Sequence, residues 1–226
     1  MLSHVAGAEL VDTQHLDLDQ ITQHLVTAHQ RGQDVVRLAS GDLSVYSALT
    51  EQTRRLDAAG VPWDVTPGVP AYAAAAAAVG RELTVPHVAQ SVVLTRVQAR
   101  STAMPATESL AHFAASKATL ALHLAITRIR EVMTDVEGDY GPDCPVVVVY
   151  RASQPEEPIL RGTVATIADA VEAAGLRQAA VILIGEALGT DGGGSRTCTG
   201  RRGPGGSNGQ EPLGDGAGGR PSGESA

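Results

Sequence analysis

Short aliphatic runs alternate with helix-periodic segments along this chain, a pattern that restricts it to the α/β folds. In the first half, strands are expected at 9–11, 35–38 and 63–65. Helices are expected at 18–30, where Ile21, Leu25 and Ala28 recur near helical spacing, at 45–59, where Leu49, Thr53 and Leu56 share a face, and at the alanine-rich 72–79. Gly32, Gly60 and Gly80 stand where each helix should stop. Strands that alternate with helices pair in parallel through right-handed crossovers. After a connector at 86–89 the pattern restarts, with strands at 91–95, 119–124, 146–150, 159–164 and 179–184. Helices are expected there at 107–116, 126–136 and 167–174. The run of four valines and a tyrosine at 146–150 is a strong strand signal. More strands per helix in this half predict a mixed sheet. The expectation is two α/β lobes, 1–86 and 87–189, each built around its own sheet.

Composition narrows the function. The chain has 226 residues, 43% of them hydrophobic but only 3% aromatic, with single residues Phe113 and Trp63, so its core is Ala, Val and Leu. A formal charge of -8 argues against a general nucleic-acid binder, which would show a basic face. Cys144 and Cys198 make no disulfide framework and lack metal-ligand spacing, so no metal is expected. No apolar run reaches the roughly 18 residues of a membrane span. The start, MLSHVAGAEL, lacks a signal peptide's basic region and apolar core, so a cytoplasmic setting is expected. From 190 the chain turns to Gly, Ser, Arg and Pro with almost no aliphatic residues; 190–226 is expected to be disordered. So abrupt a change is what out-of-frame reading of a GC-rich gene would give.

The segment VVRLASGDLSVYS at 35–47 is the clearest candidate site. It reads as a strand, a bare turn at Ser40-Gly41-Asp42, and a helix start. Open α/β sheets bind ligands at the carboxyl ends of their strands. Gly41 lets backbone approach a ligand. Asp42 and Ser44 equally suit a plain helix cap.

Six segments, in order, carry a resemblance: SGDLSVYSA at 40–48, VTPGVPAYAAAAAAVGREL at 65–83, QSVVLTR at 90–96, ATLALHLAI at 118–126, VVVVYRASQPEE at 146–157 and LRGTVATI at 160–167. Together they resemble the tetrapyrrole (corrin/porphyrin) methyltransferases over roughly 1–189. Within that family, SGDLSVYSA and LTR are most similar to the members that methylate a corrin precursor at C11. The family opens with a strand and a G-x-G-P-G-D type loop that has no counterpart here. The resemblance therefore implies that one βαβ-type unit, on the order of 30 residues, is missing from the first lobe.

The resemblance implies methyl transfer from S-adenosyl-L-methionine to a ring carbon in cobalamin (corrin ring) biosynthesis, by a homodimer. Ser40, Gly41, Asp42, Val45 and Tyr46 would line the donor trough from the first lobe. Leu122, His123 and Leu124 would press a strand against the adenine, and Ala152, Ser153, Gly162, Thr163 and Val164 would complete the far wall. Pro67 and Gly68 would shape the cleft floor. Arg81, Arg96, Arg100 and Arg151 would pair with the substrate's carboxylates, for which the guanidinium fork is suited. The task the resemblance implies is to align two reactants and exclude water, which fits the lack of a Ser/His/Asp or Cys/His constellation in the sequence; which residues would be catalytic is left open. Tyr72 reads equally as helix packing. The competing readings are a sibling methylating another ring position or uroporphyrinogen III, a fragment that binds donor weakly or not at all, and a macromolecule methyltransferase of the same fold.

Overall fold

Five of the aliphatic runs form one mixed sheet in the computed structural model, which describes residues 7–97 and 104–189. They are β1 (Val92–Arg96), β2 (Thr119–His123), β3 (Pro145–Tyr150), β4 (Ile159–Thr163) and β5 (Ala180–Ile184), in the order β1-β2-β5-β3-β4. β1 and β2 are parallel, and β5 runs antiparallel to both β2 and β3. β4 folds back antiparallel on β3. The expected mixed sheet is present. β5 lies at its centre, and its Val181–Ile184 stretch is buried, which is why it reads as a continuous apolar run.

Alternation along the strands sends side chains to two faces. Leu120, Leu122, Val146, Val148, Ile182 and Ile184 meet α4 (Leu110–Ala114), α5 (Ile129–Tyr140) and α6 (Ile167–Ala173) on one face. Burying such a side chain fully stabilises the fold by about 1.5–3 kcal/mol. The Tyr140 hydroxyl donates to the Ala118 carbonyl, so the buried phenol of this layer is satisfied. The opposite face takes α3 (Ala71–Val79), whose Ala75 and Val79 pack on Ala121, Val147, Val149, Val181 and Leu183. Ala75 is wholly buried, and its small side chain lets the helix backbone approach the sheet. The Thr119 hydroxyl donates to the Leu83 carbonyl at 2.8 Å, and Arg161 reaches the Val79 carbonyl at 3.4 Å, pinning the far end of α3.

The expected helix 18–30 is α1 (Leu18–Gln30). Asp17 accepts from the Gln20 N–H at 2.8 Å while the Gln20 side chain accepts from the Asp17 N–H at 3.0 Å, a capping box. The helix expected at 45–59 is shorter, α2 (Leu49–Ala58), because Tyr46 and Ala48 take left-handed backbone angles that a helix cannot contain. Asp19 and Arg55 join α1 to α2 at 3.1 Å. The helix expected at 107–116 is a 3₁₀ turn followed by α4, which Ser109 caps.

The largest departure lies in the first half. The strands expected at 9–11, 35–38 and 63–65 join no ladder; among the described residues the first strand is β1, preceded only by an isolated Val85–Ala89 bridge. A strand is made by its neighbours, and β propensity without a partner leaves extended backbone whose polar groups turn to water. Val36 is 81% exposed and Leu38 61%. Residues 190–226, expected to be disordered, lie outside the described residues.

Candidate functional site

Strand direction decides which candidates meet. β1, β2 and β3 run the same way, so their carboxyl ends share one edge of the sheet. Arg96 and His123 are register partners at that edge, and Arg151 follows β3 there. Three strand spacings separate the Arg96 column from the Arg151 column, about 14 Å.

His123 is the centre of this edge. It points to the α3 face and is 9% exposed. Its ring lies 5.5 Å from the ring of Tyr46, tilted by 54°, and 6.4 Å from that of Tyr72, edge-on at 85°. Its Nε2 is buried and meets no hydrogen-bonding protein atom. Burial holds its pKa below the ordinary histidine value, so the imidazole is neutral at physiological pH. Burial also pushes the Tyr46 phenol up. Beside Tyr46, a cleft of about 280 Å³ runs along β1 to Met104, Glu108 and Phe113, with Arg96 in its wall.

Backbone strain gathers at the same edge. Tyr46, Leu124, Arg151 and Ser153 all have φ between 51° and 69°, where a side chain costs energy and persists only if the surroundings impose it. Leu124 is 71% exposed, an aliphatic side chain held out beyond the strand end. The Arg151 N–H donates to the Ala179 carbonyl at 2.8 Å, and its guanidinium lies 5.3 Å over the Tyr150 ring and 3.8 Å from Glu156. The Ser153 N–H is held by the Glu157 carboxylate. Ala152, half-buried, packs against the α3 layer.

The glycine-bearing turn reaches this edge through the start of α3. Asp42 does not cap α2. One carboxylate oxygen accepts from the Ser44 N–H at 2.8 Å and from the Ser44 hydroxyl, and the other accepts from the Gly68 N–H at 2.7 Å. These three donors hold its carboxyl below the usual range. A side chain on Gly68 would overlap the Gly41 carbonyl and lie 3.3 Å from the Asp42 Cα. Gly41 itself has φ of 84°, and a side chain on it would meet the Val69 carbonyl at 3.6 Å and the Ala71 nitrogen at 3.7 Å. Asp42, Gly41 and Gly68 thus lock two loops together at the head of the helix that carries Tyr72. Ser40 stays exposed and Val45 half-buried alongside.

Other candidates stand elsewhere. β4 runs antiparallel to β3, so Gly162 and Thr163 pair with Val146 and Pro145 at the opposite end of the sheet, about 10 Å and about 13 Å along the strand from the level of His123. There Gly162 makes room for the Thr166 hydroxyl, which accepts from the Thr163 N–H at 2.9 Å, and Val164 is core. Arg81 follows the C-terminus of α3, the end away from Tyr72. The Leu122 side chain is buried among the helices of the other face. Arg100 lies outside the described residues. No sequence pattern singles out Glu108, Met104 or Glu157 as site residues; the chain path brings them to the edge.

The family model of the tetrapyrrole (corrin/porphyrin) methylases matches residues 3–168. A precorrin-4 C(11)-methyltransferase of Rhodococcus erythropolis is 53% identical over 186 residues, 82% of this chain and 75% of the relative. A cobalt-precorrin-4 C(11)-methyltransferase of Methanocaldococcus jannaschii is 39% identical over 183 residues, 80% of this chain and 70% of the relative. Among solved structures, a cobalt precorrin-4 methyltransferase superposes with a TM-score of 0.77 at 39% identity, covering 81% of this chain and 77% of its own. A uroporphyrin-III C-methyltransferase of Thermus thermophilus, crystallised with S-adenosyl homocysteine, gives 0.61 at 26% identity, covering 75% and 74%. Among the described residues no helix is long and apolar enough to cross a membrane.

Proposed function

This chain belongs to the tetrapyrrole (corrin/porphyrin) methylases, and on that premise we propose that it methylates precorrin-4 at C11 in cobalamin biosynthesis, with the sheet edge around His123 as the meeting place of donor and substrate. The observation that carries the placement is the buried, neutral, unpartnered imidazole between two tyrosine rings, a fit for a flat, weakly polar ligand edge.

S-adenosyl-L-methionine supplies an electrophilic methyl group when bound. The protein holds the reactants in line and keeps water out. The locked loops of Gly41, Asp42 and Gly68 fix the floor, while Tyr46 and Tyr72 wall one side. Leu124, Ala152 and Ser153 stand on the facing strand ends, with their backbone preset by strain and by Glu157. Arg96 and Arg151 flank the edge about 14 Å apart, placed to pair with carboxylates on opposite sides of a macrocycle. The donor would supply its methyl to the nucleophilic ring carbon and leave as a neutral thioether. The reaction needs no protein nucleophile.

The working unit on this reading is a homodimer in the cytoplasm, with the division between lobes at residues 86 and 87; sedimentation at equilibrium checks the dimer. A second reading, donor binding without turnover, is favoured by one observation: Val35, Val36, Leu38, Trp63 and Val65 stand exposed where a paired sheet would bury them. Incubation with precorrin-4 and methyl-labelled donor, followed by mass spectrometry, separates the two. The enzyme reading expects one labelled methyl on the tetrapyrrole and release of S-adenosylhomocysteine. Donor binding with no labelled product would establish the second reading instead.

A further inference from the structure

We infer that the Glu108 carboxylate is the proton acceptor of the methyl transfer, taking the proton that a ring N–H of the tetrapyrrole must lose. The inference rests on the activity proposed above and adds a base to it. Glu108 closes the short 3₁₀ turn Ala106–Glu108 and lines the cleft of about 280 Å³ beside Tyr46, together with Arg96. Its side chain is exposed, and among the described residues no hydrogen bond or ion pair occupies its oxygens. The charges of Arg96 and Glu108 both reach the Tyr46 phenol, so the three groups gather at one place.

A carboxylate in this cleft needs a partner that the substrate's rim does not offer. The rim carries carboxylates, which a like charge repels. The ring nitrogens of a metal-free tetrapyrrole carry N–H donors, and those a carboxylate can accept. The reaction supplies the need for a base. Methyl addition at a ring carbon uses the π pair conjugated with a ring N–H, while the C–S pair leaves with sulfur, so the macrocycle gains one positive charge. That charge is relieved when the N–H bond breaks. Its electron pair stays on nitrogen as an imine, and the proton passes to Glu108 and then to water. The other titratable groups of this edge are engaged. The His123 Nε2 is enclosed. Tyr46 holds its proton, because burial and the charge of Glu108 push the phenol up against the pull of Arg96. The Asp42 carboxylate accepts from Ser44 and Gly68, the Glu157 carboxylate accepts from the Ser153 N–H, and Glu156 lies 3.8 Å from Arg151.

The test compares the full wild-type chain with Glu108→Gln and Glu108→Ala, using metal-free precorrin-4 and S-adenosyl-L-methionine. Both variants should lose kcat by about a hundredfold or more, the usual worth of a general base. Glu108→Gln keeps an acceptor of the same shape, so its affinities for S-adenosylhomocysteine by calorimetry, and for precorrin-4 by absorbance titration without donor, should stay within about threefold of wild type. Glu108→Ala leaves room for a small external base. Added formate should restore part of its turnover in proportion to formate concentration, and should do nothing for Glu108→Gln, whose amide fills the space. Turnover by Glu108→Gln within about threefold of wild type overturns the inference and leaves the activity standing. So does a loss of turnover that comes with lost substrate affinity and no rescue by formate, which would make Glu108 a holder of the site and not its base. A wild-type chain that transfers no methyl to precorrin-4 refutes the proposed activity, and the inference falls with it.

Discussion

Asp42 looks in the sequence like a helix cap and acts in the structure as a clasp. Its two oxygens hold Ser44 and, across 26 residues, Gly68, so the carboxylate joins two loops. The local pattern SGD was readable, but the Gly68 partner was not, because nothing in either segment encodes their meeting. The ordinary aspartate binds a proton more readily than the folded one, since Ser44 and Gly68 stabilise the charge. The clasp therefore stabilises the fold above the ordinary aspartate range, and that contribution is lost as pH falls through the lowered folded value. Asp42→Asn should flatten the acid limb of a melting-temperature profile taken from about pH 6 down to about pH 2. A profile parallel to wild type would mean the clasp does not form in solution. Gly68→Ala forces the two loops apart and should destabilise the chain by about 1–3 kcal/mol, the usual cost of overpacking, as read in urea melts.

Helices and strands differ in how far sequence determines them. The extent of α1 was readable because its periodicity and its Gly32 stop are local; the Asp17–Gln20 capping box that starts it is seen in the structure. Three of the four residues at 35–38 are aliphatic, yet they join no ladder, because a ladder needs a neighbour that the segment itself cannot supply. β4 shows the same dependence in its direction. Its residues are readable as a strand, but the hairpin return from β3 carries Gly162 and Thr163 to the far end of the sheet. The alanine run of α3 was readable as close packing, and Ala75 at the sheet confirms it. Ala75→Leu should cost about 1–3 kcal/mol by overpacking, while Ala77→Leu, on the exposed side, should fall within about 0.5 kcal/mol of wild type. Equal effects at the two positions would contradict the packing of α3 on β5.

Across the whole molecule, order is unevenly distributed. Residues 92–184 carry a double-faced sheet whose β2, β3 and β5 are buried along most of their length, whereas the exposed valines of 35–38 belong to no ladder. Hydrogen exchange should follow this division: amides of β3 and β5 protected to near the global unfolding free energy, and those at 35–38 and 63–65 exchanging close to the unprotected rate. Strong protection at 35–38 would place a ladder there. The same division explains why the family was readable from six separated segments while the site was readable only in part: sequence likeness fixes what the pieces are, and strand direction fixes which pieces meet. That meeting at the carboxyl edge of β1, β2 and β3 is the central claim. A crystal structure with S-adenosylhomocysteine tests it most directly. The ligand is expected against His123, Tyr46 and Tyr72, with Arg96 and Arg151 beyond it. Density instead beside Gly162, Thr163 and Arg81, at the opposite end of the sheet, would contradict the account.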